Sequence, residues 1–377
     1  MSNTLTALQP VAYSAAKEVA SEPFGMVDAI NANFDDKGVA KGDTVYVPVA
    51  PTRAAVDFAP SNVASTGVDS TATSIGVQIT KSRKVSWNIT GEQERSLQNA
   101  QADKDWLGQL LKQGMRTLRN ECEVDAAIAV KQGSSRAYGT AGTTPFASDL
   151  SALTNARKVL ADNGAPLADL QFVGDTTCGL NLRNLGIIQQ AYQAGSDAER
   201  RSGELLRQFG FQIRESAGVG IHTKGTGTSY TTDTAGYAVG ATVITLITGS
   251  GTVVAGDVVT FAGDTNKYVV AVGAAAAGPI TLAAPGLKVA IATSATAMTI
   301  GNNYTANAAF ERSACVGIMR PPVMPANPVI SQMMVSDPRG MTYLMLDIAQ
   351  YGQRSLELHL AWGFKAVNSE FSALVLG

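Results

Sequence analysis

The chain has 377 residues, of which 45% are hydrophobic and only 16% are charged, and its formal net charge is −2. Since about 25% of the residues of a soluble protein are usually charged, this composition indicates a chain that buries much of its surface against copies of itself or a partner. The small net charge excludes a basic surface that would bind nucleic acid tightly by neutralising phosphates.

Residues 1–34 are predicted to form an arm with short helical pieces, without the basic and apolar regions of a signal peptide. Residues 43–51 and 75–89 alternate apolar and polar side chains, which is the pattern of half-buried strands. Residues 52–73 between them are rich in Ala, Ser, Thr and Val. Two strands joined in this way predict a long projecting hairpin, which is stable only when it packs against another surface.

Residues 103–130 are predicted to form one long helix of about seven turns that ends at Gly133. Its apolar residues recur at helical spacing and lie broadly on one face. They are Leu107, Leu111, Leu118, Cys122 and Ile128, with Trp106, Leu110 and Met115 beside them. A helix of this length indicates an extended supporting element rather than one piece of a compact bundle.

Residues 150–221 alternate helix and strand patterns, with helices expected at 150–163, 176–185 and 198–209. The composition then changes, because residues 237–310 have only four charges and consist of short Val/Ile/Thr runs separated by Gly-rich turns. This pattern predicts a small β-barrel or sandwich inserted into the α/β lobe. A helix is expected again at 308–319, and the tail from residue 341 is predicted to be rich in strands.

Nucleophilic catalysis needs a nucleophile beside a base, and the sequence offers few candidates. Cys178 lies at a predicted helix start, and the two histidines are His222, at the edge of the insertion, and His359, which is expected to face outward from a strand. Cys178 is predicted to be a small apolar residue at the helix cap. Cys122 falls on the apolar stripe of the long helix and is predicted to be a core residue.

Phosphate and metal sites are not predicted either. The KGTGTS segment at Lys224 lacks the spacing of a phosphate-binding loop and is interpreted as a linker. The three cysteines and two histidines have no zinc-ligand spacing, and the odd, scattered cysteines indicate reduced thiols. The acidic residues Glu92, Glu94, Asp103 and Asp105 flank a helix start, where negative charge favours the helix dipole. We therefore expect no catalytic, cofactor-binding or metal-binding residue, no cofactor, and no enzyme activity.

Three stretches of the chain carry a resemblance to a known family. They are VVAGDVVTFAGD at 253–264, FERSACVGIMRPPVMP at 310–325, and LDIAQYGQRSLELHLAWGFKAVNSEFSALVLG at 346–377. Together with the order of the predicted elements, they resemble the major capsid proteins of tailed bacteriophages with the Hong Kong ninety-seven fold. The similarity is closest to the coat proteins of short-tailed Salmonella phages, which have an inserted β-barrel.

The resemblance implies an α+β capsid fold made of an N-terminal arm, an extended loop, a spine helix, and peripheral and axial domains. The implied divisions are, in chain order, 1–34 for the arm, 35–91 for the extended loop and peripheral strands, 92–145 for the spine helix, 146–222 for the first axial part, 223–303 for the inserted β-barrel, 304–330 for the second axial part, and 331–377 for the C-terminal peripheral strands.

The resemblance also implies a function: self-assembly into hexamers and pentamers of an icosahedral phage head, built in the cytoplasm of the bacterial host. The implied partners are other copies of the chain, a scaffolding protein, a portal protein and packaged double-stranded DNA bound without sequence specificity, while a decoration protein is compatible with it. No membrane is involved. The hairpin is expected to reach over a neighbouring subunit, and the arm to clamp another.

Some relatives join their subunits through isopeptide bonds from a lysine of the extended loop. Because no lysine lies between Lys41 and Lys81, we expect a non-covalent shell. Two alternatives stay open. One is a phage tail or surface adhesin that binds a receptor through aromatic residues of the insertion, which offers Tyr230, Tyr237, Phe261, Tyr268 and Tyr304. The other is an enzyme that uses Cys178 with a histidine.

Overall fold

The computed structural model describes residues 9–35, 37–49, 55, 57, 60, 73–99, 103–186, 207–324 and 330–377. The helices in these ranges are α1 (Gln9–Ser21), α2 (Met26–Ala29), α3 (Gly91–Asn99), α4 (Asp103–Gly133), α5 (Ser151–Asp162) and α6 (Thr176–Asn184). The strands of the first half are β1 (Asn31–Phe34), β2 (Thr44–Val49), β3 (Thr73–Gln78), β4 (Lys81–Thr90), β5 (Arg136–Tyr138), β6 (Leu170–Gly174), β7 (Phe211–Glu215) and β8 (Ile221–His222).

The remaining strands belong to the insertion and to the C-terminal part of the chain. They are β9 (Thr231–Thr232), β10 (Val243–Ile247), β11 (Val258–Phe261), β12 (Lys267–Val272), β13 (Pro279–Leu282), β14 (Met298–Ile300), β15 (Tyr304–Glu311), β16 (Cys315–Arg320), β17 (Ile330–Ser336), β18 (Thr342–Gln350), β19 (Gln353–Ala366) and β20 (Ser372–Leu376).

A six-stranded sheet is built around β19, which pairs antiparallel with β4, β16 and β18, while β17 and β1 continue it at its ends. Leu356, Leu358, Leu360 and Trp362 alternate along β19 and are fully buried. They pack in one core with the apolar stripe of α4 and the alanine face of α1. The long helix therefore lies on one face of this sheet, as the periodicity of both elements requires.

A second, twelve-stranded sheet runs in the order β7-β6-β15-β20-β5-β12-β13-β10-β9, with β8, β11 and β14 attached to it. The α/β lobe contributes β6 and β7, which are parallel, and β15 and β20 pair antiparallel at its centre. Helices α5 and α6 cover the lobe with a core that includes Leu153, Leu160, Phe172 and Phe211.

The β-rich segment that follows β8 has its own core of thirteen buried residues, among them Tyr230, Val259 and Ile280. The strands on either side of this segment pair with each other, since His222 of β8 lies opposite Tyr304 of β15. The pairing of β12 with β5 connects the segment to the sheet of the lobe. The chain thus leaves and re-enters the lobe at one place.

Several predictions from the sequence are confirmed. The structure is a mixture of helices and separate sheets, as expected for the α+β class; the long helix spans Asp103–Gly133, and the tail forms strands. Ile128 is an exception on the predicted stripe, because its side chain is 40% exposed. The tip of the hairpin, apart from residues 55, 57 and 60, and almost all of the predicted helix at 198–209 lie outside the described residues.

The prediction of a helix at 308–319 is wrong, because these residues belong to β15, a short 3-10 turn at Arg312–Ala314, and β16. Both strands are buried on both faces, so their apolar residues run almost continuously rather than alternating. A short continuous apolar run fits a buried strand as well as a buried helix, and the periodicity alone does not separate the two.

Candidate functional site

The cysteine considered as a nucleophile is a buried structural residue. Cys178 is 1% exposed, and its backbone N–H donates to Asp175, which caps helix α6. Burial raises the pKa of the Cys178 thiol strongly, and the nearby carboxylates of Asp175 and Glu215 raise it further. A thiol held in the neutral form is a poor nucleophile, so this environment is the opposite of the one that activates a catalytic cysteine. Cys122 is likewise fully buried, as the stripe predicted.

Each histidine pairs with a carboxylate. His222 Nε2 lies 2.9 Å from Asp257 Oδ1, and the His222 ring lies against Tyr304 with centroids 5.1 Å apart. His359 Nε2 lies 2.9 Å from Glu357 Oε2. The expectation that His359 faces outward into solvent is wrong, since only 6% of the residue is exposed. Both histidines serve packing and hydrogen bonding inside the chain.

The glycine-rich segment at Lys224 has its backbone donors already engaged. The Gly225 N–H donates to the buried carboxylate of Asp257, and the next donors, on Thr226 and Gly227, bond to Thr252. Tyr304 donates its hydroxyl to the Gly256 carbonyl at 2.5 Å. A phosphate would have to displace these bonds, so the segment is a structural junction between the lobe and the insertion.

Two of the acidic residues that were considered as a pair lie at a helix start, where negative charge favours the helix dipole. Glu92 and Glu94 lie in the first turn of α3, and Glu94 Oε1 lies 3.5 Å from Arg354 Nη1. Within the residues that the structure covers, no group of three or more His, Cys, Asp or Glu could hold a metal ion. Among the same residues, no helix is long and apolar enough to cross a membrane.

A network of charges joins the N-terminal segment to α4. Four charged residues of α4 that follow one another at spacings of three or four face the segment: Lys112, Arg116, Arg119 and Glu123. Lys112 pairs with Glu18, and Arg116 Nε donates to Glu22 at 2.7 Å. We call this network, together with Asp28 and Asp337, the arm latch.

Arg119 lies at the centre of the arm latch and is 1% exposed. Its Nη2 lies 3.2 Å from Asp28 Oδ1, its Nη1 lies 3.9 Å from Asp337 Oδ2, and its guanidinium carbon lies 3.8 Å from the centre of the Phe24 ring. Burial raises the pKa of Asp337, although backbone N–H groups and Arg119 oppose the shift. The buried guanidinium of Arg119 thus connects the N-terminal segment, helix α4 and the turn between β17 and β18.

Glu123 completes the arm latch at the start of α2. Its carboxylate accepts the backbone N–H groups of Met26 at 2.7 Å and Val27 at 2.8 Å, and the Ser216 hydroxyl at 2.7 Å. Burial raises the pKa of Glu123 despite these hydrogen bonds. Sequence analysis did not identify Arg119, Glu123 or Asp337. The available signal was the spacing of charges along α4, which alone does not distinguish a solvated face from a buried one.

The described part of the arm packs on its own chain. Ala12, Ala15, Ala16 and Val19 of α1 are almost completely buried against α4, and β1 pairs parallel with β16. The alanine face of α1 explains this packing, because its small side chains allow two helices to approach closely. The expectation that the arm clamps a neighbouring subunit stays a prediction.

The base of the hairpin, which the structure describes, is well packed. Val77 and Ile79 are fully buried with Ile318, while Val45 and Val47 of β2 are partly buried against them. Strands β2 and β3 pair over six residues up to Val49 and Thr73, so residues 50–72 begin and end at one point. The side chain of Tyr46 is 68% exposed on this ladder. The base therefore fixes the position at which residues 50–72 begin and end.

No protein-family model matches the chain, and no curated protein matches its sequence. Among solved structures, the capsid of the cyanophage P-SCSP1u is similar with 12% identity and a TM-score of 0.47, over 94% of this chain and 89% of that one. A virus-like particle from Pyrococcus furiosus is similar with 7% identity and a TM-score of 0.46, over 97% and 98%. The mature capsid of bacteriophage PhiM1 gives 10% identity and a TM-score of 0.45, over 94% and 87%.

Proposed function

We propose that the chain is the major coat subunit of a tailed-phage head and assembles without covalent links into hexamers and pentamers of an icosahedral shell. The observation that supports this most is the order of the parts: a segment fastened to a long helix, a hairpin with a long excursion, and a lobe interrupted by a β module. The three stretches of sequence that resemble coat proteins fall in the insertion and in strands β15, β16 and β18–β20 of this arrangement.

The shape of the elements suits a shell subunit rather than a catalyst. Helix α4 has 31 residues and is therefore about 46 Å long. The residues that sequence analysis weighed for catalysis are buried, paired or capped, as described above. A subunit of a shell needs extended contacts instead of a pocket, and a net charge of −2 does not hold packaged DNA by phosphate neutralisation.

The proposed organisation follows the divisions expected from the sequence. Residues 1–34 would be the arm, 35–91 the extended loop with peripheral strands, and 92–145 the region of the spine helix. The axial domain would comprise 146–222 and 304–330, with the β module at 223–303 and the C-terminal peripheral strands at 331–377. The pairing of His222 with Tyr304 supports the proposed limits of the module.

The proposed partners are further copies of the chain, a scaffolding protein, a portal protein and packaged double-stranded DNA. The proposed location is the virion, after assembly in the cytoplasm of the bacterial host. The adhesin alternative lacks support in the structure, because Tyr230, Phe261, Tyr268 and Tyr304 are buried. Tyr237 is half-buried and donates its hydroxyl to Asp233. These aromatic rings stabilise the module from inside.

The test is negative-stain electron microscopy of the purified chain, alone and in a lysate of its source. Closed shells, or open spirals of regularly packed subunits, are the expected result. A variant in which residues 50–72 are replaced by Asn-Gly keeps the β2–β3 ladder, because Val49 and Thr73 are directly opposite and two such residues close a hairpin. This variant should remain a folded monomer and form no shells.

A matched control replaces residues 50–72 with a Gly/Ser segment of equal length. If contacts of the excursion matter, both variants lose assembly; if only its length matters, the control still assembles. Small discrete particles of the unaltered chain in both samples would contradict the proposed function. Shells from the shortened variant would contradict the role of the excursion.

A further inference from the structure

The β module between β8 and β15 has an unusual distribution of charge. Residues 225–303 include five charged side chains: Asp233, Asp257, Asp264, Lys267 and Lys288. Asp257 is buried and the other four are half-buried, so every exposed residue of this segment is uncharged. A surface of this size in contact with water alone would normally carry charges of both signs.

All five charges have partners within the molecule, and Asp233 accepts the Tyr237 hydroxyl at 2.8 Å. Lys267 donates to the Gly139 carbonyl, and Lys288 Nζ lies 3.4 Å from the Asp162 carbonyl at the end of α5. Asp257 binds His222, and Asp264 accepts the Tyr268 hydroxyl at 2.5 Å. No formal charge is therefore found on the exposed residues of the segment 225–303.

The exposed residues on this module are limited to Ala, Gly, Ser, Thr, Val, Pro and Asn. On three neighbouring strands, Val243 of β10 and Val272 of β12 lie on either side of Thr281 of β13. Val243 is 52% exposed, Val272 is 59% exposed, and Thr281 between them is half-buried. We call these three residues the valine face.

We propose that the valine face is covered by the valine face of a second copy of the chain in the assembled shell; this inference rests on the proposed function. If a partner placed charged side chains against this surface, those charges would lose their hydration without gaining an opposite charge, which costs free energy. A second copy offers the same uncharged surface, and a two-fold contact brings identical patches together. Small and β-branched side chains let two sheet faces approach to about 10 Å.

The contact is tested by placing charge on the valine face. In Val243→Lys and Val243→Glu chains, like charges meet across the contact, so the yield of shells should fall at least tenfold for each variant alone. An equal mixture of the two variants should recover most of the yield, because opposite charges then meet. The recovery should weaken at 1 M salt, whereas assembly of the unaltered chain should not weaken.

The matched control is Val289→Lys, a valine that is 45% exposed, lies outside the strands of the valine face, and follows Lys288, whose Nζ is 3.4 Å from the Asp162 carbonyl. It should assemble normally, and circular dichroism should show that all three variant monomers are folded. If Val243→Lys assembles as well as Val289→Lys while the unaltered chain forms shells, the inference is wrong and the proposed function stands.

If Val243→Lys fails and the mixture does not recover, the valine face contacts something other than itself, and the inference is again wrong. If the unaltered chain forms no closed particles, the proposed function fails. Sedimentation velocity then tests the contact separately. If the unaltered chain self-associates, Val243→Lys abolishes the association and the mixture restores it, the proposed contact is supported. If all chains sediment identically, the proposed contact is contradicted.

Discussion

The arm latch illustrates how single residues join distant parts of this chain. The cations of α4 occur at spacings that place them on one face of a helix, and the acidic residues of the N-terminal segment lie opposite. Most of these pairs are partly exposed, and such pairs contribute little stability each. Arg119 differs, because its guanidinium is buried and interacts with Asp28, Asp337 and the Phe24 ring.

Replacing Arg119 with Met should destabilise the monomer by about 3 kcal/mol, because Asp28 and Asp337 lose the buried one of their two cations and keep only the partly exposed Arg339. Methionine keeps the apolar contact with Phe24, so the measured loss of stability reports the removal of the positive charge. The control is Arg116→Met, whose side chain is 37% exposed and whose loss should cost about 0.5 kcal/mol. Urea unfolding of the monomer measures both values. Similar small effects of the two substitutions would contradict a special role for Arg119.

A second group of titratable residues, which is only partly buried, lies on the six-stranded sheet. Glu357 of β19 accepts Lys84 Nζ at 2.7 Å and pairs with His359 two residues further along. Burial lowers the pKa of His359 below its ordinary value of 6.5, although Glu357 opposes the shift. Burial would raise the pKa of Glu357, but the bonds from Lys84 and His359 outweigh it and lower that pKa.

These shifts predict how stability changes with pH. Because the folded state favours neutral His359, this residue contributes to the free energy of unfolding above about pH 6.5. That contribution is lost as the pH falls through the lower pKa that His359 has in the folded state. Glu357 loses its contribution only at more acidic pH, below its ordinary value of 4.5. In His359→Gln, which keeps an N–H donor for Glu357, the loss of stability between about pH 7.5 and pH 5 should be smaller than in the unaltered chain. Unfolding free energies at both pH values measure this, and an unchanged difference would refute it.

At the scale of elements, the packing of α4 on the sheet depends on a helical glycine. A Cβ at Gly114 would lie 2.4 Å from the Trp87 ring of β4, whereas one at Gly108 would lie 3.4 Å from Val11. Alanine favours a helix over glycine by about 1 kcal/mol, so Gly108→Ala should stabilise the monomer slightly. Gly114→Ala should destabilise it by about 1–3 kcal/mol, because the ring must move. Thermal unfolding of the two variants decides this, and stabilisation by both would show that Trp87 is easily displaced.

The elements that the sequence predicted correctly are those whose apolar residues recur with a regular period. Helix α4 has such a stripe, and β19 alternates leucines with polar residues, although both of its faces are buried. The failure at residues 308–319 concerns strands buried on both faces, where neither period is visible. The docking of α1 on α4 was missed because alanines indicate a helix without indicating which surface it packs on.

The candidate site was predictable only in part. Composition and spacing were enough to anticipate that Cys122 and Cys178 are packing residues, and both are buried. The burial of Arg119 and the pairing of His359 with Glu357 depend on residues far apart in the chain, so no local pattern contains them. The same holds for the valine face, since the register of β10, β12 and β13 brings its members together.

At the scale of the whole molecule, the chain stabilises its own fold with internal contacts, and two features are proposed to contact other copies. One is the segment at residues 50–72, which begins and ends at the packed base of β2 and β3. The other is the uncharged surface of the β module. A subunit of this kind would form its shell by adding contacts to a monomer that is already folded, so assembly and monomer stability should respond to different substitutions.

The last prediction concerns how such a shell is held together. The resemblance to phage coat proteins implies that a covalent link would need a lysine in the extended loop, and no lysine lies between Lys41 and Lys81. The lysines of the returning strand are engaged within the chain, since Lys81 Nζ lies 2.8 Å from Asp125 and Lys84 Nζ lies 2.7 Å from Glu357. Mature particles boiled in detergent should therefore run as a single band of monomer on a denaturing gel. A ladder of multiples would show covalent linkage, and mass spectrometry of the linked peptides would then identify the residue that supplies it.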